Sequence, residues 1–268
     1  MARPERKPAR RPERKADRKQ ERKFFKPQHK PEGGLWLYGL HAVRAALANP
    51  KRFVRRAVLT ARAAEEIGPQ LLARAKHEIA DMQGVSRILP DGAVHQGVAL
   101  LVEPLPRREL ADVLDQAGSG RRVVLVLDQI TDPHNAGAIL RTAAAFGVTA
   151  VVVQDRHSPP ETGVLAKAAS GALDIVPVVV AVNIARVLEE LGRLEFWRIA
   201  LAGDGEITLQ DAAHKGDIAL VVGSEGDGVR RLVRERCDVA AHVPIDAAME
   251  SLNVSNAAAV ALYEIRRS

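Results

Sequence analysis

The chain has 268 residues, 47% of them hydrophobic and 27% charged, which is enough apolar material for one large or two smaller folded units and too much for a disordered chain. One cysteine, Cys237, excludes an intramolecular disulfide and any cysteine-based zinc cluster, and no run of 18 apolar residues offers a membrane span. The formal net charge of +6 is unevenly placed: residues 1–31 hold 13 Lys/Arg against four acids, a net of +9 that leaves the remainder at −3.

Residues 1–32 contain five prolines and almost no apolar side chain before Phe24 and Phe25, so they are expected to be a disordered tail. Clustered cations beside aromatics are the footprint of a polyanion-binding arm, although a merely solubilising extension has the same composition. The tail also lacks the apolar core of a signal peptide, and a soluble cytoplasmic protein without a membrane partner is expected.

Residues 33–103 read as a small α/β unit. LHAVRAAL is helix-like, RRAVL strand-like, PQLLARAKHEIADM is expected to be a helix with Leu71, Leu72, Ala75 and Ile79 on one side, and VALLVEP closes the unit as a strand. The prolines, charges and glycines of residues 104–120 suit a linker carrying one short helix. From 121 to 268 strand and helix alternate, which predicts a helix-covered parallel sheet. VVLVLD, VTAVVV, IVPVVV, FWRIALA and DIALVVG are its strands, with helices over NAGAILRTAAAFG, 183–192, 228–236 and the last stretch, MESLNVSNAAAVALYEIRR.

Ligands of such sheets sit at the carboxyl ends of the strands, so the chemistry is sought there. Three loops stand out: DQITDPHNAGAILR with Asn135 and Arg141, GSEGDGVRR with Glu225, and PIDAAMESLNVSN, where Ser251, Asn253, Ser255 and Asn256 crowd a helix entry that needs one cap. Read singly, the first is also a turn with an Asn cap and a surface Arg, and the second a flexible connector. There is no G-x-G-x-x-G after the strand at 123–128, no phosphate-binding P-loop, no G-x-S-x-G, and no pair of the eight histidines spaced i, i+4. No metal site is expected.

Together and in this order, DPHNAGAILRTAAAFG, LVVGSEGDGV and VPIDAAMESLNVSNAAAVALYE resemble the three motifs of the SpoU/TrmH RNA ribose 2′-O-methyltransferases of the SPOUT superfamily. YGLHAVRAAL, HQGVAL and KAASGALDIVPVV resemble the subgroup that acts on guanosines of large-subunit ribosomal RNA, including its ribosomal-protein-like substrate-binding domain. Asp246 and Glu250, and the long basic tail, depart from that pattern.

The resemblance implies a trefoil-knot methyltransferase domain, an exception to the usual avoidance of knots. It implies bound S-adenosylmethionine held largely by main-chain groups at positions matching Gly223, Val243 and Leu252, and a homodimer whose subunits complete one another's sites. It assigns the catalytic positions to Arg141, Asn135, Glu225, Ser251 and Asn253, with Ser251 and Asn253 facing the ribose and cofactor, Glu225 orienting the arginine or helix-start amides, and Asn135 fixing the motif loops. The implied substrate is RNA, specifically 23S rRNA or a large-subunit precursor. The alternatives are a transfer-RNA 2′-O-methyltransferase, against which the extra domain argues, and a non-catalytic RNA-binding assembly factor, against which the intact motif residues argue. The apolar stripe Val254, Ala258, Ala261, Leu262 and Ile265 is either a partner face or core.

Overall fold

The computed structural model describes residues 34–213 and 216–267, so the expected disordered tail lies outside the described residues. Residues 34–268 group as one compact unit built on two sheets.

The first sheet is mixed. Strand β1 (Leu35–Tyr38) leads through helix α1 (Leu40–Ala48) to β2 (Val54–Leu59), then α2 (Ala61–Ile67), α3 (Pro69–Leu72), β3 (Lys76–Ile79), α4 (Met82–Arg87) and β4 (Val98–Val102). The order is β1-β4-β2-β3, with β4 antiparallel to both neighbours and β3 parallel to β2. The expected helix over PQLLARAKHEIADM is therefore corrected: it stops after one turn at Leu72, and KHEI becomes an edge strand paired from Arg56↔Lys76 to Leu59↔Ile79. The open edge of β2 supplies backbone partners for this stretch, and that demand overrides a helical apolar spacing. Ile79, assigned to a buried helix face, is 57% exposed.

Helix α5 (Leu110–Asp115) lies within the stretch read as a linker, yet Leu110, Val113 and Leu114 are buried against the second sheet. That sheet is entirely parallel, with its order running β7 (Val178–Ala181), β6 (Ala150–Gln154), β5 (Val123–Asp128), β10 (Ile218–Gly223), β8 (Trp197–Leu201), β11 (Val239–His242), β9 (Ile207–Thr208). The intervening helices are α6 (Pro133–Ala145), α7 (Gly163–Ala169), α8 (Ile184–Arg193), α9 (Leu209–Ala212), α10 (Arg231–Arg234) and α11 (Val254–Arg267). Sequence reasoning missed β9, β11 and α7. The helix expected over 228–236 is a single turn, and the strand near HVPI ends at His242, before Pro244, which has no N–H to donate to a ladder.

The central strands β5 and β10 are buried on both faces, as parallel strands under helices require. Their side chains alternate: Leu125, Leu127, Leu220 and Val222 face a core shared with α6, α7, α11 and the first sheet, while Val124, Val126 and Val221 face α5, α8 and α10. The chain passes from β10 beyond β8 to β11, then returns as α11 onto α6. Val254, Ala258, Ala261, Leu262 and Ile265 are 0–6% exposed, so the stripe left open above is core. This return places the third loop beside the first two.

Candidate active site

Strands β5 and β10 are neighbours whose ends pair as Gly223↔Asp128, so the loops that follow them leave the sheet side by side. The first loop enters α6 through Asp132, whose carboxylate accepts from the His134 N–H at 3.0 Å, with Pro133 at the first helical position where a missing N–H is harmless. The cap is thus Asp132, which frees the Asn135 amide to face outward from the first turn.

The second loop folds back on itself. The Gly228 N–H donates to the Ser224 carbonyl at 3.0 Å, with Gly226 and Gly228 at φ of +91° and +63°, backbone that side chains rarely adopt. A Cβ on Gly223 would meet the Gly228 carbonyl carbon at 2.0 Å, so only glycine lets the loop close over the strand end. Glu225 is carried outward on this turn.

Asn253 joins the three. Its Nδ2 donates to Glu225 Oε1 at 2.6 Å and to Asn135 Oδ1 at 3.1 Å. Its Oδ1 accepts from the Ser255 N–H at 3.0 Å and from Ser255 Oγ at 2.6 Å, and its carbonyl accepts from Ala257 N–H at 2.9 Å. One amide therefore caps α11 with its oxygen and ties loops one and two with its nitrogen. The cap that the helix entry needs and the tie between the loops are thus made by a single side chain.

Arg141 and Ser251 are not drawn into this cluster. Arg141 is exposed on α6, about 9 Å further along the helix axis than Asn135 at 1.5 Å per residue, and no hydrogen bond or ion pair ties its side chain among the described residues. Ser251 is exposed two residues before the cap. Glu225 meets Asn253 through Oε1, and among the described residues no hydrogen bond or ion pair joins it to Arg141.

Sequence reasoning missed a second cluster just beneath. Asp128, fully buried at the end of β5, accepts from the Arg230 backbone N–H at 3.0 Å and from Arg230 Nε at 2.8 Å, and Arg230 Nη2 also donates to Gln154 Oε1 at 3.0 Å. These contacts bind the ends of β5 and β6 to the end of the Glu225 loop. Asp128 opened the quoted first motif, but nothing local pointed to a partner 102 residues away.

The positions matched to cofactor contacts carry inert side chains. Val243 packs partly against the core and Leu252 is half-buried. Among the described residues the main chains of Val243 and Leu252 meet no hydrogen-bonding partner, so their N–H and C=O remain available to a ligand. A ligand with both hydrogen-bond donors and acceptors fits that set of main-chain groups.

The model for the SpoU rRNA Methylase family matches residues 122–263, more than half of the chain, and the model for RNA 2′-O ribose methyltransferase substrate binding matches residues 36–108. The chain belongs to the SpoU rRNA methylase family. It is 40% identical over 239 residues to the 23S rRNA (guanosine-2′-O-)-methyltransferase RlmB of Xylella fastidiosa, covering 87% of this chain and 96% of that protein, and 39% identical over the same shares to RlmB of Vibrio vulnificus. In fold it is similar to the SpoU methyltransferase AviRb from Streptomyces viridochromogenes in complex with AdoMet, with a TM-score of 0.73 at 22% identity over 88% of this chain and 90% of that one. The SpoU chain described here is therefore an S-adenosylmethionine-dependent RNA methyltransferase. No helix among the described residues is long and apolar enough to cross a membrane.

Proposed function

We propose that this chain methylates the ribose 2′-hydroxyl of a guanosine in 23S rRNA, with residues 33–103 as its RNA substrate-binding domain, 104–120 as linker and 121–268 as the catalytic domain. The observation that carries the substrate is the 40% identity to a 23S rRNA guanosine methyltransferase running through both sheets rather than the catalytic half alone. Arg55 and Arg56 on β2 are exposed, with Arg56 stacked 5.4 Å from the Trp36 ring centroid, a cation and an aromatic side by side as RNA-binding surfaces use them.

Bound S-adenosylmethionine supplies an electrophilic methyl group, held by the main chains of Gly223, Val243 and Leu252. The protein then has to position the ribose hydroxyl and manage one proton. Arg141 is permanently protonated, so it serves as a charge and hydrogen-bond donor rather than a base: it holds the adjoining phosphate and stabilises the developing alkoxide, and the proton leaves to phosphate or water. Its exposure and free guanidinium support this role. Ser251 hydrogen-bonds the ribose. Asn135, Glu225 and Asn253 hold the three loops in register.

The active form is a homodimer, with each Arg141 free to reach RNA lying across a neighbouring site. Since the α11 stripe is core, the partner face on that helix is the side bearing Val260 and Tyr263, 44% and 57% exposed. Rapid cytoplasmic RNA capture falls to the tail, whose cations add salt-dependent affinity; removing residues 1–31 weakens RNA binding and flattens its salt dependence without moving the methylated position.

Mapping 2′-O-methyl groups on 23S rRNA and tRNA from cells with and without the protein tests the reading. The expected result is loss of one guanosine methyl in 23S rRNA. Loss confined to tRNA, or no loss at all, would overturn it.

A further inference from the structure

Away from the active site, the first sheet meets the catalytic region along a seam with unusual chemistry. Arg52, in the turn before β2, is 1% exposed. Its Nε donates to Asp174 Oδ1 at 2.9 Å and its Nη2 to Asp174 Oδ2 at 3.1 Å, while Nη1 donates to Glu161 Oε1 at 2.5 Å and to the Glu103 carbonyl at 3.1 Å. Asp174 lies in the single turn after α7 and also accepts from Asn49 Nδ2 at 2.9 Å. Glu161, just before α7, accepts the Leu105 N–H at 3.2 Å through its second oxygen. One guanidinium thus joins the first sheet, the connecting segment and both flanks of α7.

The same seam is closed at backbone distance. A Cβ on Gly163 would meet Tyr38 Cε1 at 2.4 Å and the Trp36 carbonyl at 2.6 Å, and one on Gly171 would meet Ala45 Cβ at 2.8 Å. Lys167, on α7, donates to Gln96 Oε1 at 2.5 Å, and that oxygen also accepts the Leu40 N–H at 3.3 Å. On its other side α7 packs just as tightly on α6, where a Cβ on Gly137 would meet Ala168 Cβ at 2.4 Å. Gly137 stands between Asn135 and Arg141. A continuous rigid path therefore runs from the first sheet through α7 to the helix that carries Arg141.

We propose that Arg52, paired with Asp174 and Glu161, is a positioning residue that fixes the RNA-binding sheet relative to α6 and so decides which ribose is presented to Arg141. This rests on the reading above, in which the first sheet binds RNA and Arg141 serves methyl transfer. A buried ion pair is a poor source of net stability, since well-packed apolar groups often do as well, but its planar fork imposes one geometry. Apolar replacements would slide, and a residue that must hold a register needs direction as well as contact.

The test compares wild-type protein with Arg52→Met/Asp174→Leu, which removes both buried charges together, and with Arg52→Lys, which keeps charge and loses the fork. Cofactor binding, melting temperature, kcat and KM on a 23S rRNA fragment, and the positions methylated are measured for each. The double variant is expected to bind cofactor as the wild type does, while KM for RNA rises about tenfold, equivalent to about 1.4 kcal/mol, and methyl groups appear at neighbouring riboses. A double variant that keeps wild-type KM and a single methylated position overturns the proposal, leaving the seam a packing feature. If the double variant fails to bind cofactor, Arg52→Lys decides: raised KM with unchanged kcat upholds positioning, and wild-type KM refutes it. Wild-type protein inactive on RNA would instead sink the underlying functional reading.

Discussion

The Asn135–Glu225–Asn253 cluster and the Arg52–Asp174–Glu161 cluster are each assembled from distant stretches of chain, yet they stand in opposite surroundings. The first lies open at the carboxyl ends of β5 and β10, and beside it Arg141 and Ser251 keep side chains unengaged. The second is dry, with Arg52 and Asp174 side chains 0% and 3% exposed and the guanidinium bound on all three nitrogens. Asp128 with Arg230 belongs to the second kind on its carboxylate side. A polar group whose bonds are all internal can only hold shape, whereas one facing water can exchange a water for a ligand. The difference separates groups that hold shape from groups open to a ligand.

The sharpest way to break this division is at Asp128. Replacing it with Ala strips a buried carboxylate from Arg230, and loss of one partner of such a pair costs about 3 kcal/mol, the low end because Arg230 can rehydrate. Urea denaturation measures it, and a cost under about 1 kcal/mol would place Asp128 among ordinary surface groups.

Arg141→Ala should show the converse. Methyl transfer in single turnover with saturating RNA falls about 10²-fold, the order seen on removing one preorganised charge-stabilising donor, while stability and cofactor affinity hold. Arg141→Lys should recover little, since a point charge cannot engage phosphate and hydroxyl as the fork does. A near-wild-type Ala variant would move catalysis to Glu225 or Ser251.

Asn253 sits on the boundary and can sharpen it. Asn253→Ala loses the α11 cap, worth about 1 kcal/mol, and the link to Glu225 together. Asn253→Asp keeps the capping oxygen and sets a carboxylate against Glu225, so it should retain most of the helix stability and still lose activity. Equal thermal destabilisation in the two variants would show that the cap is not what Asn253 contributes.

The smallest effect is expected at Ile79. On the exposed edge strand β3, Ile79→Lys should change stability by no more than about 0.5 kcal/mol. On the buried helix face that its spacing suggested, truncating such a residue would have cost about 2–5 kcal/mol.

What could be read from the residues was whatever repeats locally or travels as a motif. Apolar runs marked β5 and β10 because a strand buried on both faces is apolar along nearly its whole length, and shorter apolar stretches marked β6, β7 and β8. The three loops were legible as motifs, and their family resemblance implied that Asn135, Glu225 and Asn253 serve one site without saying which of them bond. The edge strand β3 and the short strands β9 and β11 were not legible, since each is stabilised by a neighbour's backbone rather than by its own side-chain pattern. Nor were the pairings that tie the polar clusters: Asn253 is 118 residues from Asn135, Asp128 is 102 from Arg230, and Arg52 is 122 from Asp174. The pattern of the residues by itself determined the class of fold, and the likeness of three motifs to a known family pointed to the reaction and to the loops expected to serve it. Which polar groups are bonded to one another and which remain open to solvent was decided only by the tertiary structure, because a hydrogen bond depends on where a partner lies in space and sequence records only where it lies along the chain.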